Sequence, residues 1–201
     1  MKLRDIKGVV LLGGFSRRMG EPKGAKILPN GKASAIAIAE TLYRVTGRSK
    51  VLGIGETQGW TLKSGLIEII PDIEPYEGPL MGIYTALSSG IAKRYLICSY
   101  DQPLITEEMF QRILSTLQPD YPVCYQGLKT GQFYPFPGLY PAKLATNLNL
   151  SLNSGNRSVI KWLTTIMIHT IPLNSDEEER VKGFNTTEDW ERLWSRFSNV
   201  D

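Results

Sequence analysis

The sequence predicts an α/β fold with a mainly parallel central sheet, formed by one domain over residues 1–201. Short apolar runs rich in β-branched residues alternate along the chain with stretches of helical periodicity, and this alternation is typical of βαβ units. The chain has 201 residues, which is close to the usual size of a single domain. No repeat or low-complexity tract divides the sequence.

The predicted elements follow in order from these two periodicities. The strands are the short apolar runs, which cover Gly8 to Leu12, Lys50 to Ile54, Leu66 to Ile70, Tyr95 to Ser99, Val123 to Gln126, Gly138 to Tyr140 and Met167 to Ile171. The helices are the stretches between them, which cover Ser34 to Tyr43, Gly82 to Ser89, Thr106 to Gln118, Pro141 to Leu148, Ser158 to Thr165 and Thr187 to Phe197. Thr186 and Asp189 have the spacing of a capping box and mark the start of the last helix. Ser175 to Lys182 is predicted as a charge-rich connector.

Composition and charge exclude several classes of protein. Hydrophobic residues make up 42% and charged residues 21% of the chain, which excludes disordered, collagenous and coiled-coil proteins. The longest apolar run, Val9 to Leu12, is too short for a membrane helix or a signal peptide, so we expect a cytoplasmic protein without membrane contact. The net charge of +3 suits a small anionic substrate, and without a long Lys/Arg run it does not predict nucleic-acid binding.

Cysteine and histidine are scarce. Cys98 and Cys124 each lie in an apolar run, which predicts buried free thiols and no disulfide. His169 is the only histidine, and its strand-like neighbours predict a partly buried side chain and not a general base. A histidine-rich zinc site is therefore excluded.

A glycine-rich, cationic segment follows the first strand. It contains Gly13, Gly14, Arg17, Arg18 and Lys23. Glycines and cations at the carboxyl end of a buried strand predict a cradle for phosphate groups, although a turn with solvated arginines would give the same pattern. The spacing fits neither the P-loop nor the dinucleotide fingerprint.

Two aspartates also follow predicted strands. Asp101, with Gln102 and Pro103, comes after Tyr95 to Ser99, where a carboxylate can present Mg²⁺ to substrate phosphates or can simply cap a turn. Asp72 ends an earlier strand and leads into the Gly78 to Gly82 segment, whose glycines permit a close approach of the backbone to a ligand or form a plain loop.

Taken together, these motifs resemble those of the molybdenum cofactor guanylyltransferase family. The resemblance spans nearly the whole chain, and its motifs occur in the family's order. They are Leu11 to Lys23, Gly78 to Gly82 (Gly-Pro-Leu-x-Gly), Asp101 with Pro103 (Asp-x-Pro), Pro135 to Tyr140, Leu152 to Leu163 with Gly155 and Arg157, and Asn185, Thr186, Glu188 and Asp189. The resemblance implies a Rossmann-like, glycosyltransferase-A-like nucleotidyltransferase fold.

The same resemblance implies a reaction and a set of site residues. GMP would pass from GTP to the terminal phosphate of molybdopterin cofactor with release of pyrophosphate, in the presence of Mg²⁺ and with transient contacts to cofactor-inserting or acceptor proteins. Nucleotide-binding residues would be Leu11, Leu12, Gly13, Gly14, Arg17, Lys23, Asp72 and Asp101, and the catalytic group would be Lys23, Arg18 and Asp101. Asp101 would bind the metal, and Gly78, Gly82 and Asn185 would face the acceptor.

The chain departs from the family pattern at four positions. Leu12 replaces Ala, Pro22 replaces Asp, Tyr100 replaces Cys, and Gly183 stands at the first Asn of Asn-x-Asn. Gly13 is the residue of the family's GTP users, whereas its CTP users carry Ala at that position. The alternatives are transfer from CTP to molybdopterin, transfer to a sugar phosphate, and nucleotide binding without turnover.

Overall fold

A computed structural model of the chain describes residues 5–12, 26–47, 49–55, 64–75, 77–116, 120–184 and 186–197. The strands are β1 (Ile6–Leu11), β2 (Val51–Ile54), β3 (Ile67–Ile70), β4 (Arg94–Ser99), β5 (Val123–Gly127), β6 (Phe133–Pro141) and β7 (His169–Leu173). The helices are α1 (Ser34–Val45), α2 (Pro79–Ser88), α3 (Glu107–Ser115), α4 (Ala145–Asn153), α5 (Val159–Leu163), α6 (Ser175–Val181) and α7 (Thr187–Phe197), with a 3₁₀ turn at Ala142–Leu144.

The strands form a seven-stranded sheet in the order β3-β2-β1-β4-β6-β5-β7. The β1–β2, β1–β4, β2–β3 and β5–β7 pairs are parallel. Only β6 runs antiparallel to its neighbours, β4 and β5. The predicted α/β class and mainly parallel sheet are therefore confirmed.

Helices cover both faces of the sheet and divide the core into two halves. One half packs α1, α3 and the end of α6 against the sheet around side chains such as Leu42, Phe110 and Tyr125. The other packs α2, α4 and α5 around Leu80, Tyr140 and Trp162. Because β1 and β4 are covered on both faces, they consist of nearly continuous apolar runs.

The structure corrects some of the predicted boundaries. Ser175 to Lys182 is not a connector: Ser175–Val181 is helical, and Asn174 forms a capping box with Glu177. β6 is longer than predicted and extends back to Phe133. The start of α2 is Pro79 and not Gly82, because Gly78 supplies the N-cap. The predicted start of α7 is confirmed, since Thr186 and Asp189 exchange side-chain-to-backbone hydrogen bonds.

Among the residues described, no helix combines the length and the apolar character needed to cross a membrane.

Candidate active site

The carboxyl ends of the parallel strands bring the predicted site segments to one edge of the sheet. Leu12 directly follows β1, Asp72 follows β3, and Asp101 follows β4. Because β1 lies between β2 and β4, the carboxyl end of β1 has the Asp101 turn on one side and the ends of β2 and β3 on the other. This edge is where open α/β sheets bind their ligands.

Asp101 is held on a tight turn at this edge. The N–H of Gln102 donates to the Ser99 carbonyl at 3.2 Å, and the N–H of Phe184 donates to the Asp101 carbonyl at 3.0 Å. Asp101 is half-buried and lines an open cleft of about 740 Å³. The turn therefore presents this carboxylate to a space large enough for a substrate.

The cleft is built from five parts of the chain besides the Asp101 turn. They are the start of β6, the end of α6 with the segment after it, one residue each of α2 and α5, and two residues of α7. Its lining residues are Pro79, Ser99–Gln102, Gln132–Phe136, Ile160, Val181–Gly183, Asp189 and Arg192. Lys182 and Arg192 bring positive charge to the cleft, although each also pairs with an acidic neighbour on its own segment.

Gln102 also lines the cleft, and the sequence assigned it no role. Its side chain is only 6% exposed. The amide nitrogen donates to the Phe136 carbonyl at 2.8 Å and to the Val181 carbonyl at 2.5 Å, while the amide oxygen accepts from the Ser99 N–H at 3.3 Å. Gln102 thus joins β4, β6 and α6 directly beneath Asp101. A polar residue between Asp101 and Pro103 is the only signal in the sequence, because its partners are distant in the chain.

Asp72, Gly78 and Gly82 lie around the first turns of α2. The Thr85 hydroxyl is 3.5 Å from the Asp72 carboxylate. Gly78 is exposed with φ of 81°, a conformation that favours glycine. Gly82 is buried, and a Cβ on it would lie 3.0 Å from Leu11 Cδ2. Gly82 therefore permits close packing of α2 on β1, and Gly78 is the more accessible of the two.

Leu11 and Leu12 point their side chains into the core, where they are 4% and 3% exposed. Any contact that they make with a nucleotide would come from the backbone. Leu12, the residue that replaces Ala, occupies space above Gly53, where a Cβ would be 2.6 Å from Leu12 Cδ1. The larger side chain at position 12 is thus matched by the absence of one at position 53.

The other predicted site residues lie outside the described part of the chain. They are Gly13, Gly14, Arg17, Arg18, Lys23 and Asn185.

Phe184 and Trp190 form an aromatic pair at the start of α7, and Lys26 packs against it. The ring of Trp190 packs edge-on against Phe184 with centroids 4.8 Å apart, and the Lys26 ammonium lies 5.6 Å from the Trp190 centroid. Phe184 also bonds the Asp101 carbonyl. Phe184 and Trp190 therefore link the Asp101 turn to Lys26, the first described residue after the glycine-rich segment.

The two cysteines and the histidine do not lie where they could react with a substrate in the cleft. Burial raises the pKa of the Cys98 thiol well above its ordinary value, and the Asp101 carboxylate raises it further. Cys124 is also buried and free, so both predicted buried thiols are confirmed. His169 is the first residue of β7 and is half-buried. Because β7 runs parallel to β5, His169 lies at the amino edge of the sheet, opposite Asp101.

The cleft suits a metal ion whose ligands come partly from the protein and partly from a bound substrate. Within the described ranges, no three His, Cys, Asp or Glu side chains are grouped closely enough to hold a metal ion alone. Mg²⁺ at nucleotide sites is typically bound by one or two carboxylates together with phosphate oxygens. Asp101, a carboxylate on an open cleft, fits that requirement.

Comparison with known proteins decides the family. The profile of the MobA-like NTP transferase domain matches residues 8–166, which is most of the chain. This chain belongs to that family. It is a nucleotidyltransferase.

Individual relatives agree with this assignment. The probable molybdenum cofactor guanylyltransferase of Carboxydothermus hydrogenoformans is 28% identical over 201 residues, covering 98% of each chain. The crystal structure of molybdopterin-guanine dinucleotide biosynthesis protein A from Archaeoglobus fulgidus has a TM-score of 0.73 at 20% identity and covers 96% of this chain and 100% of that chain. A Mycobacterium tuberculosis protein crystallised with manganese has a TM-score of 0.64 at 16% identity, with 95% and 98% coverage. At these identities the two structures show the shared fold.

Proposed function

We propose that this MobA-like NTP transferase transfers GMP from GTP to the terminal phosphate of molybdopterin cofactor and releases pyrophosphate. The position of Asp101 carries the proposal, because its carboxylate lines a cleft beside the strand end from which the glycine-rich segment departs. The name of the relative from Carboxydothermus hydrogenoformans supports the choice of substrates.

Asp101 would hold Mg²⁺, with Asn185 as a second or water-mediated contact. When bound, the ion neutralises negative charge on the triphosphate. The structural neighbour that was crystallised with manganese is consistent with a divalent metal in this fold. The turn that holds Asp101 keeps the carboxylate at the cleft before substrate arrives, so little reorganisation is needed when the nucleotide binds.

The residues after β1 would bind the triphosphate. Backbone N–H groups of Gly13 and Gly14 would cradle the phosphates, Arg17 and Arg18 would neutralise the outer ones, and Lys23 would stabilise charge that develops at the α-phosphate. Phosphoryl transfer depends mainly on such positioning and charge stabilisation, so these roles need no covalent intermediate.

The acceptor would enter the cleft from the side of β6 and α7. A phosphate monoester has a second pKa of about 6, so at neutral pH it is mostly a dianion and already a competent nucleophile. A general base is then unnecessary, in keeping with the position of His169 at the opposite edge of the sheet. Lys182 and Arg192 give the cleft cations that suit an anionic acceptor.

The nucleotide would be GTP. Gly13 carries no side chain, which leaves room for a purine near the backbone. Titration calorimetry with Mg²⁺ should show tighter binding of GTP than of CTP, and equal or tighter binding of CTP would contradict this part of the proposal.

The test of the reaction measures pyrophosphate release from GTP with Mg²⁺ and molybdopterin cofactor. Asp101→Asn and Lys23→Ala should each lower the rate on the order of 10² to 10³-fold, because each removes one electrostatic contribution to the transition state. Matched controls are Asp120→Asn, an exposed carboxylate paired with Lys143, and Lys50→Ala, an exposed ammonium directly before β2. Both control residues precede strands at the amino edge and should leave the rate unchanged.

Three outcomes would contradict the proposal. A rate within about tenfold of the wild type in either site variant would remove that residue from the catalytic group. Turnover with a sugar phosphate in place of molybdopterin cofactor would change the acceptor. Nucleotide binding without pyrophosphate release, for every acceptor offered, would indicate a binding module.

A further inference from the structure

Gly183 lies directly against the carboxylate of Asp101. A Cβ built on Gly183 would be 2.7 Å from Asp101 Oδ2, 2.8 Å from Cγ and 3.0 Å from Oδ1. The first two distances are shorter than real Cβ contacts and the third is tight, so a side chain at position 183 would compete with the carboxylate for the same space. Both residues line the cleft.

The backbone at position 183 does not itself require glycine. Gly183 is absent from the glycines with positive φ, which include Gly78 and Gly155. An alanine could therefore adopt the same backbone conformation without strain. Glycine at this position is therefore explained by the close approach of Asp101 and not by the backbone conformation.

We infer that Gly183 is a positioning residue: because it has no side chain, the Asp101 carboxylate can lie against its Cα and face the cleft. The Phe184 N–H fixes the same juxtaposition from the backbone, because it donates to the Asp101 carbonyl at 3.0 Å. The Gly183 Cα thus lies against the Asp101 side chain, and the Phe184 N–H holds the Asp101 backbone. The inference rests on the proposed role of Asp101 as the metal ligand.

An asparagine at position 183 would occupy the space that the Asp101 carboxylate fills here.

The test combines metal binding with a stability cycle. Mn²⁺ binding in the presence of GTP is measured by electron paramagnetic resonance for the wild type, Gly183→Ala, Asp101→Ala and the double variant. Gly183→Ala should weaken Mn²⁺ binding by at least about tenfold, as expected when a group that orients a metal ligand is disturbed. Gly65→Ala is the matched control, because a Cβ at Gly65 would meet no atom within 4 Å.

Thermal unfolding of the same four proteins without metal or nucleotide gives a second readout. Gly183→Ala should lower the melting temperature in the wild type, and the loss should shrink or vanish in the Asp101→Ala background, where the opposing atoms are gone. A requirement of the backbone for glycine would instead give the same loss in both backgrounds.

The two measurements distinguish a positioning role of Gly183 from a purely structural one. Mn²⁺ binding within about threefold of the wild type in Gly183→Ala would overturn the inference, given that a disturbed ligand costs about tenfold or more. An equal thermal loss in both backgrounds would overturn it as well. Failure of the proposed function is distinguishable, since Asp101→Ala itself would then bind Mn²⁺ and GTP as the wild type does, while the thermal cycle would still report the steric contact.

Discussion

Replacing Gln102 by alanine should destabilise the protein, because its side chain forms three hydrogen bonds with buried backbone groups and a weaker one with the Cys98 thiol at 3.6 Å. The side chain is 6% exposed, and it satisfies the carbonyls of Phe136 and Val181 and the N–H of Ser99. These partners belong to β6, α6 and β4, so no other residue nearby in sequence can replace it.

The loss of stability can be estimated from the three backbone groups that lose their hydrogen bond to Gln102. A buried backbone group that loses its hydrogen bond costs about 1–3 kcal/mol. Water can enter the space left by the shortened side chain, which favours the lower end of that range and a total of about 3 kcal/mol for the three groups. For a chain of this size, that loss corresponds to a fall in melting temperature of roughly 6–12 °C.

Urea unfolding followed by circular dichroism measures this loss directly. Gln102→Glu should lose at least as much at neutral pH, because a carboxylate would face two carbonyl oxygens. Such a buried carboxyl has a raised pKa in the folded state, so the variant should regain part of its stability as the pH falls and the protonated group can donate. Gln111→Ala, on the exposed face of α3, is the control and should change stability by no more than about 0.5 kcal/mol.

A loss below about 1 kcal/mol in Gln102→Ala would refute the reasoning, since it would mean that these backbone groups find other partners at no cost.

Three further predictions follow from the described structure. His169→Gln should leave the transfer rate within a few fold of the wild type, because His169 lies at the amino edge of the sheet; a large loss, with disappearance of a pKa near neutrality from the pH–rate profile, would contradict a phosphate acceptor. Burial raises the pKa of Cys98 well above its ordinary value and that of Cys124 to about 12, so both thiols should stay neutral at physiological pH and resist N-ethylmaleimide until the protein unfolds. Mass spectrometry of the native protein checks this, and rapid modification would contradict it. Thr186→Ala should cost about 1 kcal/mol in urea unfolding through loss of the cap from Thr186 to the Asp189 N–H, and an unchanged midpoint would show that α7 does not depend on this cap.

The sequence alone determined the fold class, most of the elements and the edge of the sheet at which the candidate site lies. These features depend on local periodicity and on one general property of parallel strands, whose carboxyl ends share an edge. Asp72 and Asp101 each follow a predicted strand, and the structure places both at that edge. The cap of α7 was also predicted from the spacing of Thr186 and Asp189, and the structure confirms it, whereas Thr106 was predicted inside α3 and is its N-cap.

The helix α6 shows where reading by composition fails. Ser175 to Lys182 carries so many charges that the segment resembles a solvated connector. The spacing of Asn174 and Glu177 was a local signal for a helix start that the charge density obscured. Contacts distant in sequence add to this cap, since Glu177 pairs with Arg112 of α3 and the buried Glu178 accepts from the Thr130 hydroxyl.

Only the tertiary structure decided how the site residues are held. Gln102 reaches partners 34 and 79 residues further along the chain, and no periodicity encodes such contacts. Leu12 fits because Gly53 lacks a side chain, and Asp101 rests where Gly183 lacks one. In each pair, the space beside one residue is set by another that is distant in sequence. The sequence determines which residues are glycines, but only packing decides which side chain occupies the space that each glycine leaves.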